Sequence, residues 1–186
     1  LVDGGVEHFV CPKNRRKLEG PDTVVVHYTA GVSARSSAEF LAREEVKASA
    51  HVVIGRDGKV FQLVPFDTEA WHAGRSRHEG RSNLNRYSVG IELDNLGRLE
   101  YRDGRFMAEC GVAVDPREVY VDETGEEATF WHRYTERQRA ALREVCGLLC
   151  RHYPVRHVVG HADITERKQD PGPALDMGEL RKSMNL

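Results

Sequence analysis

The sequence lacks the long apolar runs on which membrane-spanning proteins depend. Its longest apolar stretches, such as VVVHY and HVVI, are far shorter than the ~20 residues of a membrane-spanning helix. No charged-then-apolar signal segment opens the chain. We therefore expect no membrane partner. The first residue is Leu rather than Met, so the native N terminus and the question of export stay open at this stage.

An excess of charge of one sign is missing as well. Lys and Arg number 27 against 29 Asp and Glu, which gives a formal net charge of -2. Proteins that bind nucleic acid or anionic lipid through their overall charge carry a clear basic excess. The sequence therefore predicts no nucleic-acid partner.

Cysteine is scarce, and its spacing excludes two kinds of stabilised fold. The four cysteines form no CxxC pair, which argues against a thiolate zinc knuckle and against a disulfide scaffold. Cys146 and Cys150 are one helical turn apart on a face with apolar neighbours. Their pattern is typical of small buried side chains in a reducing compartment.

What is present is a pattern of alternating strands and helices in 186 residues, a length that suits one domain. Apolar, β-branched runs at 23–28 and 88–95 predict strands buried on both faces, and Asp57-Gly58 predicts a hairpin. Capping boxes predict one helix from Ser36 to about Lys47 and another after Thr135. The stretch 97–131 is the hardest to assign. We predict an α/β fold with a central mixed, largely buried β-sheet flanked by helices.

Three polar side chains interrupt the ends of predicted strands. His27 lies near the end of the first strand, Glu92 interrupts SVGIEL, and His161 ends RHVVGH. Ligands collect where the strands of open α/β sheets end. With Asp170, the two histidines would make a complete set of protein ligands for a catalytic zinc ion. A single histidine in a strand is more often a hydrogen-bonded core residue, and the spacing alone does not prove that these groups meet.

Five blocks of sequence, in order, carry a family resemblance: VVVHYTAG, SAHVVIGRDGKVFQLV, AWHAGRS, NRYSVGIEL and GHADITERKQDPGPALD. They resemble the zinc-dependent N-acetylmuramoyl-L-alanine amidases of the type 2 amidase group, which share a fold with the peptidoglycan recognition proteins. The similarity spans roughly residues 20–182. It implies one catalytic amidase domain over 1–186, with 1–19 as an N-terminal extension.

The resemblance also implies the site. Matched to the family's motifs, His27, His161 and Asp170 would bind zinc, and Glu92 and Lys168 would be the catalytic pair. Zinc would polarise the amide carbonyl and activate water, with Glu92 as the proton carrier and Lys168 facing the carbonyl oxygen. The implied substrate is the amide between the lactyl group of N-acetylmuramic acid and L-alanine, in peptidoglycan or soluble muropeptides.

Three further residues are candidates for substrate contact: His51, His72 and Arg86. For the two histidines a hydrogen bond to a zinc ligand is the alternative. Some relatives place a tyrosine just before the position of His51 as a transition-state donor, but Ala50 stands there. We therefore expect this chain not to use that device.

Alternatives to the amidase prediction stay open at this stage. Some proteins of this fold have lost a zinc ligand and only bind muropeptides, and a zinc amidase acting on another amide is a third possibility. Within the amidase interpretation we expect a cytoplasmic, monomeric enzyme of muropeptide recycling. A phage endolysin or a secreted bacteriolytic wall hydrolase fits the same motifs.

Overall fold

The computed structural model describes residues 5–186 and contains two main sheets and three α-helices. The strands are β1 (Val6–His8), β2 (Thr23–Tyr28), β3 (Val52–Ile54), β4 (Val60–Gln62), β5 (Arg77–His78), β6 (Arg81–Ser82), β7 (Ser88–Leu93), β8 (Arg98–Arg102), β9 (Arg105–Ala108), β10 (Ala113–Val114), β11 (Val119–Asp122), β12 (Thr129–His132) and β13 (His157–Gly160). The helices are α1 (Ala34–Ala42), α2 (Glu136–His152) and α3 (Met177–Ser183).

The central sheet is mixed and has the strand order β1-β4-β3-β7-β2-β13. β2 pairs in parallel with β7 and β13, while β3 and β4 form the antiparallel hairpin predicted at Asp57-Gly58. β2 and β7 lie inside the sheet, as their apolar sequences predict. The predicted α/β fold with a central mixed sheet is confirmed.

The two faces of this sheet have different neighbours because side chains alternate along each strand. Val24 and Val26 of β2 point into the larger core, which α2 and α3 cover. Val25 points to the opposite face, where the loop between β4 and β7 packs. Odd-numbered residues of β2 and even-numbered residues of β7 therefore share this second face.

The stretch that was hardest to assign from sequence forms a second sheet. Its five antiparallel strands have the order β10-β9-β8-β12-β11, and β8 and β9 are joined at Asp103-Gly104. Both turn residues have positive φ angles, 52° and 74°, as a tight hairpin turn requires. Its strands are short and mostly exposed, which explains their weak apolar pattern.

Helix α1 begins and ends earlier than the sequence predicts. Ser33, not Ser36, is its N-cap: the Ser33 hydroxyl accepts a hydrogen bond from the Ser36 backbone N–H. The predicted extension to Lys47 is wrong, because the helix ends at Ala42. Beyond that point the Lys13 ammonium donates hydrogen bonds to backbone carbonyls, those of Leu41, Arg43, Val46 and Ala48. Helix α2 begins after Thr135 as predicted.

The N-terminal segment is integrated into the domain. β1 pairs in parallel with β4 and forms an edge of the central sheet. The four cysteines are free thiols, and Cys146 is buried in the core. Over residues 5–186, no helix is long and apolar enough to cross a membrane.

Candidate active site

The site lies at the carboxyl ends of three neighbouring strands, β7, β2 and β13. His27 and Glu92 are partners in the β2–β7 register and point to the same face, and His161 directly follows β13. His27 Nδ1 lies 3.0 Å from His161 Nδ1 and 2.9 Å from Asp170 Oδ2. His161 Nδ1 lies 3.0 Å from the same carboxylate oxygen. The structure thus brings together the three residues that the sequence proposes as metal ligands.

A chain of hydrogen bonds determines which nitrogen of His27 carries the proton. The Ser88 hydroxyl donates its only proton to the Leu84 carbonyl at 2.6 Å, so its oxygen accepts from His72 Nε2 at 3.2 Å. Burial lowers the pKa of both His27 and His72, so both rings are neutral. His72 Nδ1 is then unprotonated and accepts from His27 Nε2 at 3.0 Å.

The consequence is an unprotonated His27 Nδ1 that faces other electron-rich atoms. In this tautomer His27 Nδ1 lies about 3 Å from a carboxylate oxygen and from a second imidazole nitrogen, an arrangement that a cation between them would stabilise. Four tetrahedral ligands of zinc lie about 3.3 Å apart, close to these separations. Two imidazoles and one carboxylate also match the donor set of a catalytic zinc site.

The second sheet positions the segment that carries Asp170. The Trp131 ring packs against Gly172, where an added Cβ would lie 2.6 Å from ring atoms. The Tyr134 hydroxyl donates to the Pro171 carbonyl at 2.8 Å. Gly172 has a positive φ of 74°, which suits glycine. These contacts hold Asp170 buried beside the two histidines.

Glu92 is a carboxylate without a protein partner at the rim of the site. Its Oε2 atom is buried and makes no hydrogen bond to any described residue. Burial raises its pKa well above the ordinary value, the charge of Asp170 raises it further, and Lys168 opposes both. Lys168 itself is exposed. A half-buried, unpaired carboxylate of raised pKa is suited to accept and release a proton.

The three candidates for substrate contact have different surroundings. His51 is fully buried: Nδ1 accepts from the Gly90 N–H, and Nε2 donates to the Thr68 carbonyl. Both of its nitrogens therefore have protein partners in this structure. His72 is buried against His27 and corresponds to the alternative, a hydrogen bond to a proposed ligand. Arg86 is exposed and lies outside this cluster.

Sequence reasoning missed Ser88, Gly90, Trp131 and Tyr134. For Gly90 the sequence did contain a signal: an isolated glycine inside an apolar strand often marks the close approach of another group. Gly90 is such a residue, because an added Cβ would lie 2.6 Å from the Cδ2 and Nδ1 atoms of His72. No comparable signal pointed to Trp131 or Tyr134, which lie in and just beyond β12, a strand that the sequence pattern did not identify.

Several known proteins are similar to this chain. It is 30% identical to the 1,6-anhydro-N-acetylmuramyl-L-alanine amidase AmpD of Escherichia coli (strain K12), over 94% of this chain and 86% of that protein. It is 34% identical to AmpD of Enterobacter cloacae, over 95% of this chain and 87% of that protein.

A solved structure is similar as well. The N-acetylmuramyl-L-alanine amidase AmiD from E. coli, in complex with the substrate anhydro-N-acetylmuramic acid-L-Ala-D-gamma-Glu-L-Lys, superposes with a TM-score of 0.66 at 29% identity. The match covers 88% of this chain and 57% of that one. The family model for N-acetylmuramoyl-L-alanine amidase matches residues 16–173. This chain therefore belongs to the N-acetylmuramoyl-L-alanine amidase family.

Proposed function

We propose that the protein is a zinc-dependent amidase that cleaves the bond between the lactyl group of N-acetylmuramic acid and L-alanine. His27, His161 and Asp170 are the proposed zinc ligands. The observation that carries the proposal is their triangle of donor atoms, 2.9–3.0 Å on each side, with the unpaired carboxylate of Glu92 on the neighbouring strand.

Each residue has a defined part in the proposed reaction. A zinc ion bound there would supply Lewis acidity for the carbonyl group and for the attacking water. Glu92 accepts the proton of that water and later delivers it to the leaving amine. Lys168 donates to the carbonyl oxygen as negative charge grows on it. His72 holds His27 in the tautomer that leaves Nδ1 free.

We further propose a soluble anhydro-muropeptide as substrate. The curated relatives AmpD are 1,6-anhydro-N-acetylmuramyl-L-alanine amidases, and AmiD forms a complex with an anhydro-muramyl peptide. Incubating the protein with intact sacculi and with soluble anhydro-muropeptide, and comparing the rates of peptide release, tests this choice. Faster lysis of sacculi would contradict the recycling role, and with it the cytoplasmic location that the sequence analysis predicts.

The zinc-amidase proposal has a direct test. The purified protein is loaded with zinc, freed of excess metal, and assayed for bound zinc and for release of L-Ala-D-γ-Glu-L-Lys from its anhydro-muramyl conjugate. We expect one zinc ion per chain and peptide release that a chelator abolishes. Asp170→Ala should lose the metal and the activity, whereas Glu92→Gln should lose the activity alone. Binding of the conjugate without release would instead indicate a muropeptide-binding module.

A further inference from the structure

Four backbone carbonyl oxygens converge on the side-chain nitrogen of Lys13. They belong to Leu41, Arg43, Val46 and Ala48 and lie 2.8, 2.8, 2.7 and 2.7 Å from Lys13 Nζ. These four oxygens are here called the carbonyl cage. Lys13 is half-buried, and the cage is formed by the end of α1 and the turn 43–48 that follows it. One nitrogen atom thus connects the N-terminal segment to the whole length of this turn.

The carbonyl cage recognises positive charge more than the direction of single hydrogen bonds. A carbonyl oxygen only accepts hydrogen bonds, so each contact requires a proton or a positive charge on the nitrogen. An ammonium group has three protons, fewer than the four oxygens around it. At least one oxygen therefore shares a proton or is held by charge alone, as an oxygen around a metal cation is. Burial lowers the pKa of Lys13, whereas Cys11 and the Glu45 carboxylate raise it.

The position of the cage in the fold also favours a cation. The last carbonyls of a helix lack partners within the helix, and its dipole attracts positive charge to that end, where Leu41 lies. The turn 43–48 belongs to no helix or strand, and a 3.3 Å hydrogen bond from the Val46 N–H to the Arg43 carbonyl closes it. Potassium channels hold their ion with rings of backbone carbonyl oxygens, which replace its hydration shell. The cage offers the same kind of oxygen.

We propose that the carbonyl cage is a site for a monovalent cation, which this chain fills with the ammonium group of its own Lys13. Without that side chain the cage would bind methylammonium, ammonium or potassium ions. Divalent cations fit less well, because proteins bind them mainly through carboxylates and the cage consists of carbonyl oxygens. The inference does not rest on the proposed amidase function, which requires no such site.

The cage also connects the N-terminal segment to the loop that carries His72. Ala48 precedes Ser49, whose N–H donates to the Trp71 carbonyl at 3.0 Å and whose hydroxyl accepts from the Trp71 N–H at 2.8 Å. Trp71 directly precedes His72, which forms the hydrogen bond to His27. A cation in the cage therefore fixes the backbone beside a residue of the candidate active site.

Lys13→Ala removes the built-in cation and leaves room for a free one. We expect the unfolding temperature of this variant to fall by roughly 10 °C, because several hydrogen bonds to a charged group are lost. A ligand that binds only the folded state raises the unfolding temperature as its concentration increases. Methylammonium, ammonium and potassium chloride should therefore stabilise the variant along a saturating curve. Tetramethylammonium chloride at equal ionic strength is the control salt, because its ion has no N–H group and is too large for the cage.

Two further variants separate charge from space. Lys13→Met keeps the length of the side chain without its charge, so it should lose stability and gain no more from potassium than from the control salt. Lys47→Ala removes an exposed charge from the same turn and should behave as the unaltered protein in every salt. If potassium and methylammonium stabilise Lys13→Ala no more than tetramethylammonium does, the proposal is wrong.

NMR of the unaltered protein gives a test that does not depend on the folding of a variant. At pH 7 the Lys13 ammonium should give its own nitrogen–proton signal, with slower proton exchange than Lys47 and with scalar coupling to carbonyl carbons of the cage. Exchange as fast as that of Lys47, without such coupling, would overturn the proposal.

The two tryptophans report the connection to the His72 loop. In Lys13→Ala the indole N–H signal of Trp71 should shift, and methylammonium should return it to its original position. The signal of Trp131, on β12, should stay in place and serves as the internal control. Equal shifts of both signals would contradict the connection through Ser49.

Discussion

The ring of His72 lies directly over the α-carbon of Gly90. A Cβ atom at position 90 would come within 2.6 Å of His72 Cδ2 and Nδ1, a distance that real Cβ contacts do not tolerate. Any larger residue at position 90 would move His72 off His27. The absence of a side chain at position 90 therefore controls the hydrogen bond between His72 and His27, a proposed zinc ligand on the neighbouring strand.

Gly90→Ala should consequently weaken zinc binding without altering any proposed ligand. We expect about a tenfold or greater loss of affinity, the range found when hydrogen-bond partners of metal ligands are removed. Competition with a chromophoric chelator measures it. Gly125→Ala is the matched control, since an added Cβ there meets only a backbone oxygen at 3.6 Å. Equal zinc affinity in the two variants would contradict the role of Gly90.

His72→Ala tests the hydrogen-bond chain itself. Without an acceptor for its Nε2 proton, the His27 ring can carry the proton on Nδ1 instead, which competes with metal binding. We expect zinc affinity to fall roughly 10- to 100-fold, and His72→Asn, whose side-chain oxygen can replace Nδ1, to recover part of it. NMR of the ring nitrogens in the metal-free protein should show mixed tautomers of His27 in the alanine variant. An unchanged Nε2–H tautomer would refute the chain.

Sequence patterns predict those site residues that lie at the ends of strands. His27, Glu92 and His161 stand at the ends of apolar runs, so strand pairing and side-chain alternation bring them to one face. The loop residue His72 is different, because its position depends on Asn85, whose side chain accepts from the backbone N–H groups of residues 72 and 73. Such a contact leaves no periodic signal in the sequence.

The second sheet was predicted only in part, as short strand-like pieces around the Asp103-Gly104 turn, for a related reason. Phe106 and Phe130 pack against Leu99 and its neighbours in a small cluster separate from the main core. A sheet with so little buried surface needs few apolar residues, so its strands resemble exposed loops in sequence. Trp131 of β12 nevertheless packs against Gly172, and Tyr134, just beyond β12, donates to the Pro171 carbonyl, so both fix the backbone beside Asp170. The motif at 168–173 contains no signal for these contacts.

Lys168→Met should move the acidic limb of the pH–rate profile. The Lys168 charge lowers the pKa of Glu92, which burial and Asp170 raise. Removing this charge raises that pKa further, so Glu92 must be deprotonated at higher pH before it can act as a base. We expect kcat/KM to begin falling at a higher pH than in the unaltered protein, together with a lower plateau because the donor to the carbonyl oxygen is lost.

Arg167→Gln is the control for that experiment, since Arg167 is the sequence neighbour of Lys168, whereas the pKa of Glu92 is shifted by burial, Asp170 and Lys168. An acidic limb at the same pH in Lys168→Met and in the unaltered protein would show that Lys168 does not act on the proton carrier.

His51 should make the stability of the fold depend on pH. Burial lowers the pKa of His51 from 6.5 to about 4. Below pH 6.5 the unfolded chain therefore binds a proton that the folded chain does not, and the free energy of unfolding falls with pH until about 4. For this group the loss between pH 7 and 5 is about 2 kcal/mol.

Urea unfolding of the metal-free protein at pH 7 and 5 measures this loss. His51→Gln should be less stable at pH 7, because the Gly90 N–H and the Thr68 carbonyl lose their partner, yet should lose about 2 kcal/mol less on acidification. His152→Gln, an exposed histidine at the end of α2, should lose as much stability as the unaltered protein. If His51→Gln and the unaltered protein lose the same free energy between the two pH values, His51 is not held neutral by the fold.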